Sequence, residues 1–82
     1  MIVTHTPAIA AQSAVVADAR TAVAAHVRSA EAASPRAKRS AWRAVEQAES
    51  VRDFACADLE RAVRAANPGA VEADLQAAVR AL

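Results

Sequence analysis

The chain has 82 residues and a formal net charge of +1, and 55% of its residues are hydrophobic, with alanine by far the commonest. The near-neutral charge gives no global bias towards nucleic acid or membrane surfaces, and a single cysteine excludes a disulfide framework. Small side chains bury little area each, and a core of this size seldom supplies more than about 3–5 kcal/mol. We therefore expect the fold to depend on an oligomer or a bound partner.

Three dipeptides divide the chain: Thr6-Pro7, Ser34-Pro35 and Asn67-Pro68. Thr, Ser and Asn favour the N-cap of a helix, and proline at the next position has no N–H to leave unpaired. The residue before a proline also resists helical geometry, so the second and third dipeptides end the preceding helix. The pattern predicts helices at about 7–33, 35–66 and 68–82, with no alternating run that indicates a strand.

The first predicted helix has one apolar stripe, formed by Ile9, Val16, Val23 and Ala30 at steps of seven. Its opposite side is almost uncharged. The alanines there are Ala10, Ala14, Ala17, Ala22, Ala24, Ala25 and Ala32. Two interpretations stay open at this point, because alanine is both the best helix former in solvent and a small residue for a second packing surface.

The second predicted helix has a narrower stripe opposite a well-charged side. The stripe comprises Ala41, Val45, Ala48, Ala55, Leu59, Ala62, Val63 and Ala66. The third helix repeats the pattern with Val71, Leu75, Val79 and Leu82. Together the elements predict one all-α domain over residues 1–82, an elongated antiparallel helical hairpin with a short C-terminal third helix.

The start of the second predicted helix is strongly basic, although a helix N-terminus favours negative charge. Its four cations are Arg36, Lys38, Arg39 and Arg43, and the only tryptophan, Trp42, lies among them. Three interpretations are open: a solvated face, a protein contact, or a surface for nucleic-acid phosphates with Trp42 stacking on a base. Glu46, which follows on the same helix, disfavours a long phosphate backbone.

The protein-contact interpretation pairs two copies of the second helix, antiparallel and centred on Ala48. Its level pairs are Arg43–Asp53, Lys38–Asp58, Arg36–Glu60, Val45–Val51 and Ala41–Ala55. Charge and apolar patterns then agree on one register, as a self-complementary interface requires. The competing interpretation packs the first helix on the same stripe, with Val23 near Val45 and Ile9 near Leu59.

Three residues lie awkwardly on this map. Phe54 projects away from the stripe, so it either anchors a partner or lies under the third helix. Arg52 falls within the stripe, and we expect its guanidinium to reach outward to solvent. Trp42, at the edge of the stripe, is expected at a domain or interface boundary.

Residues suited to chemistry are sparse. His5, His26 and Cys56 are the only soft ligands, and no two have a chelating spacing. Cys56 lies between two alanines and is expected to be a small packing residue. No glycine-rich phosphate loop is present. The sequence predicts no catalytic residue, no cofactor and no metal.

The sequence therefore predicts a non-enzymatic interaction or assembly subunit, either oligomeric or bound in a larger complex such as a phage virion or a multiprotein machine. The alternative is a small DNA- or RNA-binding regulator that uses the basic start of helix 2. The predicted interface residues are Arg36, Lys38, Arg39, Trp42, Arg43, Val45, Ala48, Val51, Asp53, Phe54, Asp58 and Glu60. The beginning, MIVTHTPAIA, lacks the basic region of a secretory signal, and no membrane span is expected, so a cytoplasmic location is predicted.

Overall fold

The structure is a computed structural model that describes residues 3–82; residues 1 and 2 of the predicted domain lie outside this range. It contains α1 (Pro7–Ala32), α2 (Lys38–Ala66) and α3 (Glu72–Arg80). α1 and α2 pack along each other as an antiparallel hairpin, and α3 packs on α2. The body measures 53 × 21 × 15 Å. The predicted all-α hairpin with a short third helix is confirmed.

α1 begins as its dipeptide predicts. The Thr6 side chain accepts a hydrogen bond from the Ile9 N–H at 3.2 Å, and Pro7 occupies the first turn. This cap satisfies one of the N–H groups that a helix start leaves without a partner. α1 then continues to Ala32, close to the predicted end.

The predicted start of the second helix, at residue 35, is too early. Residues 35–37 form a turn that the Ala37 N–H closes on the Ser34 carbonyl at 3.0 Å, and α2 begins at Lys38. The chain must reverse direction between α1 and α2, and this turn makes the reversal. No side chain caps α2, so Ser34 does not have its predicted role.

The third helix also starts later than predicted, at Glu72 and not at residue 68. Asn67 and Pro68 belong to a turn in which the Ala70 N–H donates to the Asn67 carbonyl at 3.1 Å. α3 then opens with Glu72 and Asp74 in its first turn, where carboxylates complement the helix dipole. It ends at Arg80, short of the predicted residue 82.

The core lies in the half of the hairpin that holds the chain termini. Its buried members are Ile9, Val16, Ala19, Ala55, Leu59, Val63 and Leu75. Towards the α1–α2 turn, the buried hydrophobic residues among those described are Ala30 and Val45. The large side chains are thus concentrated at one end, and the turn half is held by small contacts.

Candidate interaction surface

Several large hydrophobic side chains of α2 are exposed to solvent, on more than one side of the helix. Phe54 is 73% exposed, Val51 60% and Trp42 40%. Phe54 is nine residues from both Val45 and Val63, which are buried; nine residues are two and a half turns, so Phe54 points away from the core. α3 does not cover Phe54. The interpretation of Phe54 as a residue under the third helix is therefore wrong, and its role as an anchor stays a prediction.

The basic start of the predicted second helix is placed at the turn end of the hairpin. Arg36, Lys38, Arg39 and Arg43 are all exposed. None of the four forms an ion pair with another residue in the 3–82 range. Their charges are therefore open to a partner, at a helix end where the dipole disfavours them.

The carboxylates of mid-α2 are partly paired within the chain. Arg52 donates from Nε and Nη2 to Asp53 Oδ1 at 3.2 and 3.1 Å, and its Nη2 lies 3.7 Å from Glu49. Arg61 pairs with Asp58 one turn away. Arg52 thus turns from the stripe towards solvent and these carboxylates, and its side chain is 33% exposed. These ion pairs are exposed to solvent, so each is worth little free energy and leaves its carboxylate available to another cation.

A groove runs between α1 and α2 beside Val51. Its volume is about 280 Å³, and four of its lining residues are alanines. The lining consists of Ala19, Ala22, His26, Ala44, Gln47, Ala48 and Val51. Sequence reasoning placed Ala48 and Val51 in an interface and missed the other five. Their signal was weak, because alanines on two helices form a groove only once the hairpin register is fixed.

The apolar pairs of the predicted dimer register need correction. Val45 and Ala55 are 3% and 5% exposed within one chain, because α1 covers the stripe of α2. A second copy therefore cannot reach the pairs Val45–Val51 and Ala41–Ala55. The predicted site residues Arg43, Asp53, Phe54 and Asp58 are exposed, while Ala48 and Glu60 are half-buried.

The alanines on the back of α1 face solvent. All seven of those named above are exposed in this chain. Cys56 is half-buried against the core cluster, as expected for a small packing residue. No group of three His, Cys, Asp or Glu side chains within residues 3–82 is placed to hold a metal ion. Over the same residues, no helix combines the length and apolarity needed to cross a bilayer.

Two sets of side-chain hydrogen bonds lie at and beside the turn between α2 and α3, and the sequence did not reveal them. Asn67 accepts from the Thr4 N–H at 2.6 Å and donates to the Thr4 and Val63 carbonyls at 3.1 and 2.9 Å. Arg64 donates two hydrogen bonds to the Glu72 carboxylate at 2.6 and 2.7 Å. The first ties the N-terminal segment to the end of α2, and the second ties α3 to α2.

The ion pair between Arg64 and Glu72 shifts the pKa values of both side chains. Hydrogen bonds from Arg64, and then from Gln76, lower the pKa of Glu72 from 4.5 to about 2. The same hydrogen bond raises the pKa of Arg64. Because the two side chains are 44% and 61% exposed, water screens their attraction, and the pair orients α3 more than it stabilises the chain.

We expect the Glu72→Gln variant to lose a pH-dependent part of stability. Because the folded state lowers the pKa of Glu72, the ionised carboxylate stabilises the folded state at pH values above about 4.5. This contribution to stability is lost as the pH falls from about 4.5 towards about 2. The Tm difference between wild type and Glu72→Gln should therefore shrink over that range. The matched control is Glu46→Gln, an exposed carboxylate without an ion pair to any described residue. Parallel Tm curves for wild type and Glu72→Gln would contradict the prediction.

Comparisons with protein-family models, with curated proteins and with solved structures find no match to this chain.

Proposed function

We propose that this chain is a non-enzymatic assembly subunit that acts through protein–protein contacts, as a homo-oligomer or within a larger complex such as a virion or multiprotein machine. The observation that carries the proposal is the outer face of α2, where Phe54 and Val51 are 73% and 60% exposed. Aromatic side chains are the commonest energetic anchors of protein interfaces. The proposal assigns no catalytic residue, cofactor or metal.

Two further features support a partner. In the turn half of the hairpin, the buried hydrophobic residues among those described are Ala30 and Val45, so a second protein that covers this half would stabilise the folded chain. The four unpaired cations there supply charges for complementary carboxylates. We place the protein in the cytoplasm, or in a particle assembled inside the cell, because an unpaired cysteine suits a reducing compartment.

The test is mass by light scattering together with thermal melting over a wide range of protein concentration. Self-association stabilises the folded state by mass action, so we expect mass and Tm both to fall on dilution. A monomeric mass and a constant Tm would contradict self-association. A partner of different sequence would then be the form of the proposal left to examine, by identifying what copurifies.

A second candidate is a small nucleic-acid-binding regulator, which is favoured by the same unpaired cations, Arg36, Lys38, Arg39 and Arg43. Phosphate binding releases counterions, so it weakens steeply as salt rises. Titration of the same samples with mixed-sequence DNA duplex at low and moderate salt separates the two candidates. Absence of binding at low salt would exclude the regulator.

A further inference from the structure

A second heptad line runs along α2, separate from the stripe that α1 covers. It consists of Ser40, Ala44, Gln47, Val51, Phe54, Asp58, Arg61 and Ala65, which we call the outer seam. The steps alternate between four and three residues, the spacing of positions that face one partner helix. All of these residues are exposed except Ala44, which is half-buried beside the groove. The hydrophobic residues Val51 and Phe54 lie near the middle of the seam.

An antiparallel second copy brings seam residues level with one another in the register centred on residue 49. Facing positions of an antiparallel pair have residue numbers that add to 98 in this register. Phe54 then faces Ala44 of the second copy, and Val51 faces Gln47 of the second copy. The large Phe54 side chain thus meets the small Ala44 side chain at two symmetric positions, one on each side of residue 49. Ala44 also lines the groove of about 280 Å³, so this register brings Phe54 of one copy next to the groove of the other.

The charges select the antiparallel orientation. Arg43 lies beside seam residues Ala44 and Gln47, and Asp58 lies on the seam itself towards the other end. In the antiparallel register Arg43 of one copy is level with residue 55 of the other, within one turn of Asp58, and this contact occurs twice in the pair. A parallel copy would place like charges together, which disfavours association. Arg43 has no ion pair among the described residues, and Asp58 has only an exposed one, with Arg61.

We propose that two copies of this chain associate through their outer seams, antiparallel about residue 49, with Phe54 of each copy in the groove beside Ala44 of the other. The contact is isologous, so it closes as a dimer in which each α2 keeps its own α1. This inference rests on the proposed function as a protein-interaction subunit and names the partner and the surface.

The first experiment compares Phe54→Ser with Val71→Ser in the full chain by sedimentation equilibrium. Both residues are exposed hydrophobics, at 73% and 59%, but Val71 precedes α3 and lies off the seam. Each dimer loses two Phe54 contacts, so we expect Phe54→Ser to raise the dimer dissociation constant at least about tenfold. Val71→Ser should leave the dissociation constant unchanged. Far-UV circular dichroism checks that both variants stay helical.

The second experiment tests the register by disulfide formation, with Cys56→Ala as the background. One chain carries Gln47→Cys and another carries Val51→Cys, and the two are mixed under mild oxidation. The antiparallel register places position 47 of one copy against position 51 of the other, so the mixed disulfide should predominate. A parallel pair would instead join 47 to 47 and 51 to 51.

The outcomes separate this inference from the proposed function. A wild-type dimer that survives Phe54→Ser, or that forms mainly same-position disulfides, would overturn the outer-seam dimer while leaving self-association intact. A wild-type chain that is monomeric at every concentration would overturn the outer-seam dimer and self-association, and the proposed function would then require a partner of different sequence. Loss of the dimer in Phe54→Ser together with a predominant mixed disulfide supports the proposal.

Discussion

Replacement of Leu59 by alanine is expected to destabilise the chain by about 2–5 kcal/mol, the cost of removing a buried leucine and leaving a cavity. Leu59 is 3% exposed and belongs to the core cluster. A single core of this size seldom supplies more than about 3–5 kcal/mol, so the variant should be largely unfolded when dilute. Urea unfolding followed by far-UV circular dichroism measures the loss.

Leu82→Ala is the matched control for this experiment. Leu82 is half-buried at the edge of the same cluster, so its truncation removes less buried area and leaves a gap open to water. The expected loss is well below that of Leu59→Ala. Equal losses for the two variants would show that the cluster is not the main source of stability.

Asn67→Asp should weaken the attachment of the N-terminal segment, because a carboxylate keeps only the hydrogen bond from the Thr4 N–H. The Asn67 amide donates to the Thr4 and Val63 carbonyls, and a carboxylate in its place has no proton to donate and repels both oxygens. Because one of these hydrogen bonds is exposed and the other part-buried, their loss should cost about 0.5–1.5 kcal/mol each. At about 4–8 °C per kcal/mol for a domain of this size, the Tm should fall visibly.

Amide hydrogen exchange at Thr4 measures directly whether the hydrogen bond between Thr4 and Asn67 is formed. The Thr4 N–H donates to Asn67 Oδ1 at 2.6 Å, outside any helix. Asn67→Ala is the control, because it removes the acceptor and both donors without adding repulsion. We expect Thr4 to exchange fast in Asn67→Ala with a smaller fall in Tm than in Asn67→Asp. A Thr4 amide that stays protected in Asn67→Ala would show that other contacts hold the segment.

Local signals made the helices predictable. Thr6 and Pro7 act on the first turn of α1 through contacts within three residues, so the start of that helix followed from the sequence. The later starts of α2 and α3 could not be predicted from the sequence in this way. Ser34 lies in the turn that lets α2 fold back on α1, and the Asn67 amide is engaged by Thr4, 63 residues away in sequence. A cap rule cannot anticipate a competing partner so distant in sequence.

The sequence by itself determined which sides of the helices are apolar. Ile9, Val16, Leu59 and Val63 recur at helical spacing and are buried, and Phe54 departs from that spacing and is exposed. Periodicity identifies a face because side-chain direction repeats every 3.6 residues along any helix. It does not identify what covers the face. The stripe of α2 suited a second copy and α1 equally well by pattern.

Only the tertiary structure decided between these two partners. Packing of α1 on α2 buries Val45 and Ala55. The side of α2 that carries Val51 and Phe54 stays exposed to solvent. The same packing brings alanines from two helices together into the groove beside Val51. The physical reason is that burial depends on the relative position of two helices, which is set by the sum of their contacts and not by the repeat within either one.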